Sequence, residues 1–312
     1  MSFDRLIEKI VQTQNPSVIG LDPKLEYIPE FIKAKAFAKH GETLKGAANA
    51  VWKFNKGLID AVYDIVPAVK PQIAFYEMLG TEGIKAFYKT VKYAKERGLY
   101  VVADCKRNDI GSSAEGYATA YLGKVQVGAN EYTPFPADAM TVNGYLGTDG
   151  ITPFVDVCKK YDKGIFVLVK TSNPSSGELQ DQIISDEICA VYELMGSMCE
   201  KWGAQSEKKY GWSGVGAVVG ATYPAQIKSL REMLPNTFFL IPGYGAQGGT
   251  AGDLKAAFNK NGLGGIVNSS RAVMCAYKKE KCSEKDYAGA AHREAIRMRN
   301  ELIKEIGEIR IK

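Results

Sequence analysis

Asp104, Lys106 and Asp109 fall within six residues of one another, directly after the apolar run Leu99-Tyr-Val-Val-Ala. Two carboxylates around one ammonium can fix packing as a buried ion pair. They can also hold a charged lysine where a reaction develops negative charge. In a strand successive side chains alternate faces, so Asp104 and Lys106 point one way and Cys105 the other. Desolvating an acid and a base at the end of a buried strand is costly, and a plain core strand would not carry them. The 104–109 run alone leaves both readings open.

Other kinds of chemistry are poorly supplied. The chain has only two histidines, His40 and His292, and neither sits at a strand end beside other polar residues. A histidine triad or a histidine-rich metal centre is therefore not expected, and no metal or other cofactor is called for. Chemistry has to run on Asp, Lys and hydroxyls. Six cysteines occur without a C-x-x-C pair, which reads as reduced core thiols in a cytoplasmic protein. The start, 1–10, reads as an amphipathic helix, and no apolar stretch approaches a membrane span. The net charge of +5 is spread along the chain. That gives no nucleic-acid patch, but it suits a small anionic ligand.

Something must position these side chains. Short, continuously apolar runs recur at 17–22, 66–76, 99–106, 139–143, 164–172, 215–220, 237–242 and 265–270. Such runs read as strands buried on both faces. Helical patterns fill 46–64, 81–97, 112–124, 149–160, 178–202, 224–234, 252–259 and 284–306. Eight strands alternating with eight helices predict an α/β fold, the (β/α)8 TIM barrel with a closed parallel sheet. The alternative is an open doubly wound sheet, but Asp22-Pro-Lys follows strand one where that fold has a glycine fingerprint. With no repeat and no linker, 1–312 reads as one domain. It has an N-terminal helix and long connections after strands one and five.

In such a barrel the active site lies at the C-terminal ends of the strands. Those ends carry Asp22, then Lys70 and Gln72, then Asp104 and Lys106, then Asn143, then Lys170, Thr171 and Ser172. Strand seven ends in Gly243-Tyr-Gly-Ala-Gln247-Gly-Gly-Thr250, and strand eight in Asn268-Ser-Ser-Arg271. So many polar ends on one rim favour a site over a structural pair. The glycines can turn backbone N–H groups towards an anion, and a helix expected near Gly252 adds its N-terminus. Gln247 and Arg271 add side-chain donors, which makes this a candidate phosphate site. Ser112 and Glu115 fit a capping box. Asp109 and Ser113 then sit on a tight loop from which they could reach away from their own barrel.

Asp104-Cys-Lys106-Arg-Asn-Asp109-Ile resembles the D-x-K-x-x-D-I signature of the orotidine 5′-monophosphate decarboxylases. The resemblance extends through Gly20-Leu-Asp22-Pro, Lys70-Pro-Gln-Ile-Ala-Phe-Tyr-Glu, Val169-Lys-Thr-Ser-Asn-Pro174, Pro242-Gly-Tyr-Gly-Ala-Gln247-Gly and Asn268-Ser-Ser-Arg271-Ala. It is closest to the longer class found in some bacteria and in protozoa. The resemblance implies decarboxylation of orotidine 5′-monophosphate to uridine 5′-monophosphate, the last step of de novo pyrimidine nucleotide synthesis, without a cofactor. It implies a charged tetrad of Lys70, Asp104, Lys106 and Asp109 with Lys106 as proton donor. It also implies a homodimer, with Asp109 and Ser113 acting across the interface. Asp22 would hold a ribose hydroxyl, Ser172 and Thr171 the pyrimidine edge, and Gln247 and Arg271 the phosphate.

Three alternatives compete. Related phosphosugar barrels, such as hexulose-phosphate synthases, bind magnesium and want a further acid at a strand end; Lys70 and Thr171-Ser172 argue against them. A Schiff-base aldolase wants a lysine of lowered pKa, and the acids flanking Lys106 do the opposite. A catalytically inactive nucleotide-binding protein has no need of the whole charged set.

Overall fold

The structure, a computed structural model, describes residues 3–185, 189–206, 209–245 and 248–311. Eight parallel strands close into a barrel: β1 (Ser17–Leu21), β2 (Ala68–Pro71), β3 (Tyr100–Arg107), β4 (Ala139–Val142), β5 (Gly164–Lys170), β6 (Ser213–Val219), β7 (Thr237–Ile241) and β8 (Gly265–Ser269). Each strand pairs with its neighbours in sequence, and β8 closes on β1. This is the (β/α)8 topology expected above. The larger helices are α1 (Asp4–Thr13), α2 (Glu30–His40), α3 (Leu44–Val62), α4 (Gly80–Glu96), α5 (Gly111–Leu122), α6 (Thr148–Tyr161), α7 (Val191–Gly203), α8 (Pro224–Met233) and α9 (Tyr287–Ile306).

Strand alternation divides the apolar residues into two cores. Val18, Ala68, Tyr100, Val102, Phe166 and Phe238 point into the barrel, where they meet Phe3, Leu6, Ile7 and Ile10 from the α1 segment. Phe3 stacks on Phe166 with ring centroids 4.6 Å apart. Gly164 makes this possible, since a Cβ there would stand 2.5 Å from the Phe3 ring. Ile19, Val69, Val101, Ala103 and Cys105 belong to the other core, between the sheet and the surrounding helices. The even-numbered residues of β3 therefore face inward, and the next one after Val102 is Asp104. Apolar packing seals the N-terminal half of the barrel, so its polar face opens only at the C-terminal rim.

Several local expectations are corrected. Strand two stops at Pro71, and Ala74–Glu77 is a helical turn. Pro71 ends regular pairing, and only an isolated bridge from Gln72 to Asp104 continues it. The expected helix 178–202 is a short helix Gly177–Gln180, a hairpin pairing Ile183–Ile184 with Cys189–Ala190, and then α7. The expected helix 252–259 is four residues, Ala251–Leu254, followed by a 3-10 turn. Thr250 and Asp253 cap it reciprocally, so a carboxylate already occupies its start. The Ser112 capping box does not form, because α5 begins at Gly111 with no side-chain cap. A hairpin that was not expected, Val125–Val127 with Asn130–Tyr132, follows α5.

Candidate active site

The rim of β1, β2, β3, β7 and β8 surrounds a cavity of about 390 Å³ whose walls include Asp22, Lys70, Asp104, Gly243, Asn268 and Arg271. Lys70 on β2 and Asp104 on β3 are 4% and 7% exposed. Lys70 Nζ donates to Asp104 Oδ2 at 2.6 Å, and Lys106 Nζ donates to Asp104 Oδ1 at 2.6 Å. One carboxylate thus bridges two ammoniums. Lys106 is the exposed end of the chain.

The charge states follow from these neighbours. Burial alone would push the Asp104 carboxyl up, but Lys70 and Lys106 outweigh it and hold Asp104 far below the usual carboxylate range. Burial would likewise push Lys70 down, but Asp104 and then Asp22 reverse the direction and raise it. Burial keeps the Cys105 thiol neutral on the opposite face.

Lys106 is held by unusual backbone geometry. Its φ is +46°, in the left-handed region that residues other than glycine seldom enter. The β3–β4 register shifts between Ala103 and Arg107. Thr141 on β4 fills the gap. Its Oγ1 accepts from the N–H groups of Cys105 (3.0 Å) and Lys106 (2.9 Å) and donates to Asp104 Oδ1 (2.9 Å). Thr141 escaped the sequence reading. The available signal was a polar residue inside an apolar strand, two positions before its end.

Asp22 Oδ1 and Asn268 Oδ1 are buried acceptors with no hydrogen-bond partner among the described residues. Both belong to the cavity wall, where a ligand's hydroxyl donors would satisfy them. Gly20 makes room for this corner, because a Cβ would stand 1.9 Å from Ser270 Oγ and 3.0 Å from Asn268 Oδ1. Arg271 opens the helical turn after β8 with its side chain exposed. Gly243 and Gly245 adopt positive φ and turn the chain at the same mouth. Gln247 lies outside the described residues.

The remaining candidates stand apart from this cavity wall. Thr171 Oγ1 donates to Asn173 Oδ1 (2.6 Å) and accepts from Gln180 Nε2 (2.8 Å). Ser172 packs against Gly220, and its half-exposed hydroxyl has no partner among the described residues. Asp109 Oδ1 accepts from the Ile110 N–H (2.8 Å), and Asp109 makes no ion pair among the described residues. Ser113 is exposed on the first turn of α5.

Residues 19–285 match the family described as orotidine 5′-phosphate decarboxylase / HUMPS. The chain belongs to this family. It is 44% identical over 275 residues to an orotidine 5′-phosphate decarboxylase of Caldicellulosiruptor bescii, covering 88% of this chain and 90% of that one. A second relative of that description, from Rhodopirellula baltica, is 41% identical over 297 residues, covering 94% and 96%. Among solved structures, an OMP decarboxylase of Leishmania donovani superposes with a TM-score of 0.68 at 30% identity, over 93% of this chain and 99% of that one. In terms of this family, the Asp104–Lys106 pair and Asp109 are its D-x-K-x-x-D run set in three dimensions. The first two form an ion pair, and the third makes none among the described residues. Among the described residues no three His, Cys, Asp or Glu side chains are placed to hold a metal ion. No helix among them is long and apolar enough to cross a membrane.

Proposed function

We propose that Lys106 is the proton donor in the reaction this chain catalyses, the decarboxylation of orotidine 5′-monophosphate to uridine 5′-monophosphate. One observation carries the assignment: an ammonium–carboxylate–ammonium chain, 2.6 Å at each link, whose Lys70 and Asp104 line a cavity with Asp22 and Arg271. Loss of carbon dioxide breaks a carbon–carbon bond and leaves the electron pair on a ring carbon with no conjugated sink. Fixed positive charge must meet it. The Lys106 ammonium stabilises the developing carbanion and then gives it a proton. Asp104 aims Lys106, and Lys70 keeps Asp104 ionised. No cofactor is required in this scheme.

The rest of the substrate distributes along the rim. Asp22 accepts from a ribose hydroxyl, which suits its unsatisfied Oδ1. Arg271 and Gln247 hold the phosphate. Its contacts lie far from the reacting carbon and serve to orient the ring. Ser172 meets the pyrimidine edge, beside a Thr171 whose hydroxyl anchors the segment.

The working form is a homodimer. Asp109 of the partner subunit completes the tetrad, and Ser113 of the partner subunit reaches the ribose. Exposed apolar side chains near these two residues support the reading: Ile110 and Tyr117 on the α5 segment, Val127 and Tyr132 on the hairpin, and Tyr145 and Leu146 after β4. In this reading 1–312 is one domain working in the cytoplasm. The test is a spectrophotometric assay with orotidine 5′-monophosphate, with and without EDTA. Equal turnover is expected; loss of turnover on chelation would sink the cofactor-free scheme in favour of a magnesium-dependent one.

A further inference from the structure

Lys170 ends β5 with its side chain fully buried, yet the proposed reaction gives it no task. Its ammonium donates to Asp181 Oδ1 at 2.7 Å and to Ser176 Oγ at 3.1 Å, and it sits 4.5 Å from the centroid of the Tyr223 ring. Asp181 lies eleven residues further on, at the end of the short helix Gly177–Gln180. Its side chain is 41% exposed, so it would drift into water without this partner. Gln226 Nε2 from α8 reaches the same Asp181 oxygen at 3.1 Å. Ser176 Oγ continues to the Tyr223 hydroxyl at 3.3 Å.

These contacts act on the two residues next to Lys170. Gln180, adjacent to Asp181, clamps Thr171 from both sides. Its Oε1 accepts from the Thr171 N–H at 2.9 Å, and its Nε2 donates to Thr171 Oγ1. Ser172 is pressed against Gly220, where a Cβ would stand 2.8 Å from the Ser172 Cα. A buried ammonium whose one acidic partner among the described residues sits on a surface turn ties that turn to the barrel, because releasing the turn would strand the charge.

We propose that Lys170 is a positioning residue. Acting through Asp181 and Ser176, it docks the 173–181 turn so that Gln180 sets Thr171 and the Ser172 hydroxyl faces the pyrimidine. The inference rests on the reading of Ser172 as a base contact. It separates recognition of the base from recognition of ribose and phosphate, which belong to the cavity wall.

The experiment measures dissociation constants of two ligands, uridine 5′-monophosphate and ribose 5-phosphate, for wild type, Lys170→Met, Asp181→Asn and Ser172→Ala. Asp181→Asn keeps the shape and changes a half-exposed side chain, so it serves if Lys170→Met fails to fold. Expected for Asp181→Asn is uridine 5′-monophosphate binding weakened about tenfold or more, with ribose 5-phosphate held within about twofold, since losing an oriented base contact is a loss of that order. KM for orotidine 5′-monophosphate rises with it, more than kcat falls. A merely structural role would move both ligands together, and that result overturns the proposal. If Ser172→Ala splits the two ligands and Asp181→Asn does not, the role of Lys170 fails while the base reading stands. If Ser172→Ala splits nothing, the base reading fails and the Lys170 inference with it.

Discussion

The barrel holds a second carboxylate among cations, and it is not an active site. Asp138 precedes β4 at the N-terminal end, with its side chain fully buried. Lys95 Nζ reaches both its oxygens at 2.6 Å, Arg5 lies at 2.9 Å and Lys163 at 3.9 Å. The Val101 N–H donates to it at 2.9 Å. Asp104, at the other end of the sheet, has two ammoniums and Thr141. By count of partners the bottom cluster is the richer one. What differs is what remains unsatisfied. Around Asp138 the backbone and three side chains of one chain complete the carboxylate, and apolar α1 residues fill the adjoining barrel interior. Around Asp104 the cluster opens on a cavity where Asp22 and Asn268 each keep a buried acceptor without a donor among the described residues. A buried ion pair is thus no sign of catalysis by itself; an array left incomplete at the C-terminal rim is.

The largest expected effect separates the two ends by activity. Lys106→Ala should lose on the order of 10⁴-fold or more in turnover, since it removes both the proposed proton donor and the charge proposed to meet the carbanion. Its urea midpoint should stay near that of wild type, because Lys106 is on the exposed side of its pair. Steady-state kinetics beside urea unfolding checks both halves. Near-normal turnover would overturn the assignment of the donor.

At the bottom the expectation reverses. Asp138→Ala leaves the Val101 N–H without its acceptor and strips three cations of their shared partner. That should destabilise the fold by about 2–4 kcal/mol, moderated because Lys95 and Arg5 can still reach water. Turnover per folded molecule should stay within about twofold, as expected of distant, independent sites. A variant with unchanged stability and lost activity would erase the distinction between the two clusters.

A smaller effect tests why the rim cluster is incomplete. Asp109 Oδ1 accepts from the Ile110 N–H, and Asp109 makes no ion pair with Lys106 or any other of the described residues. Lys106→Ala and Asp109→Asn chains, each inactive alone, should regain activity when mixed and allowed to exchange subunits. Statistical pairing gives about half heterodimers with one intact site in two, so about one quarter of wild-type sites should return. No recovery after verified exchange would place Asp109 in the site of its own subunit.

The two clusters also differ in how far the sequence announced them. Asp104 and Lys106 are neighbours on one strand, so alternation alone gave their shared face and the direction of Cys105. Arg5, Lys95, Asp138 and Lys163 are spread over residues 5–163, about half of the chain, and only the fold brings them together. The (β/α)8 order was legible because apolar runs and helical patterns alternate eight times. Thr141 was not, because its contact depends on the register shift opposite Lys106. The left-handed turn at Lys106 was equally hidden, since no glycine marks it. Residues 177–181 misled for another reason: their turn is held by contacts of the Lys170 and Gln180 side chains and not by helical periodicity.

Acid sharpens the comparison last, and by the smallest margin. Burial opposes ionisation of Asp104, but Lys70 and Lys106 prevail and depress its folded pKa below the unfolded value near 4. A group depressed in this way contributes fully above its unfolded pKa. Its contribution drains as pH falls through that value towards the folded one. The stability gap between wild type and Asp104→Asn should therefore be flat between about pH 5 and 7 and should narrow only below about pH 4. Urea unfolding of both proteins at about pH 3.5, 5, 6 and 7 is the measurement. A gap that already changes between pH 5 and 7 would mean that Asp104 titrates near neutrality. Its carboxylate would then not be fixed between the two ammoniums through that range, and the rim cluster would lose the electrostatic order that sets it apart from Asp138.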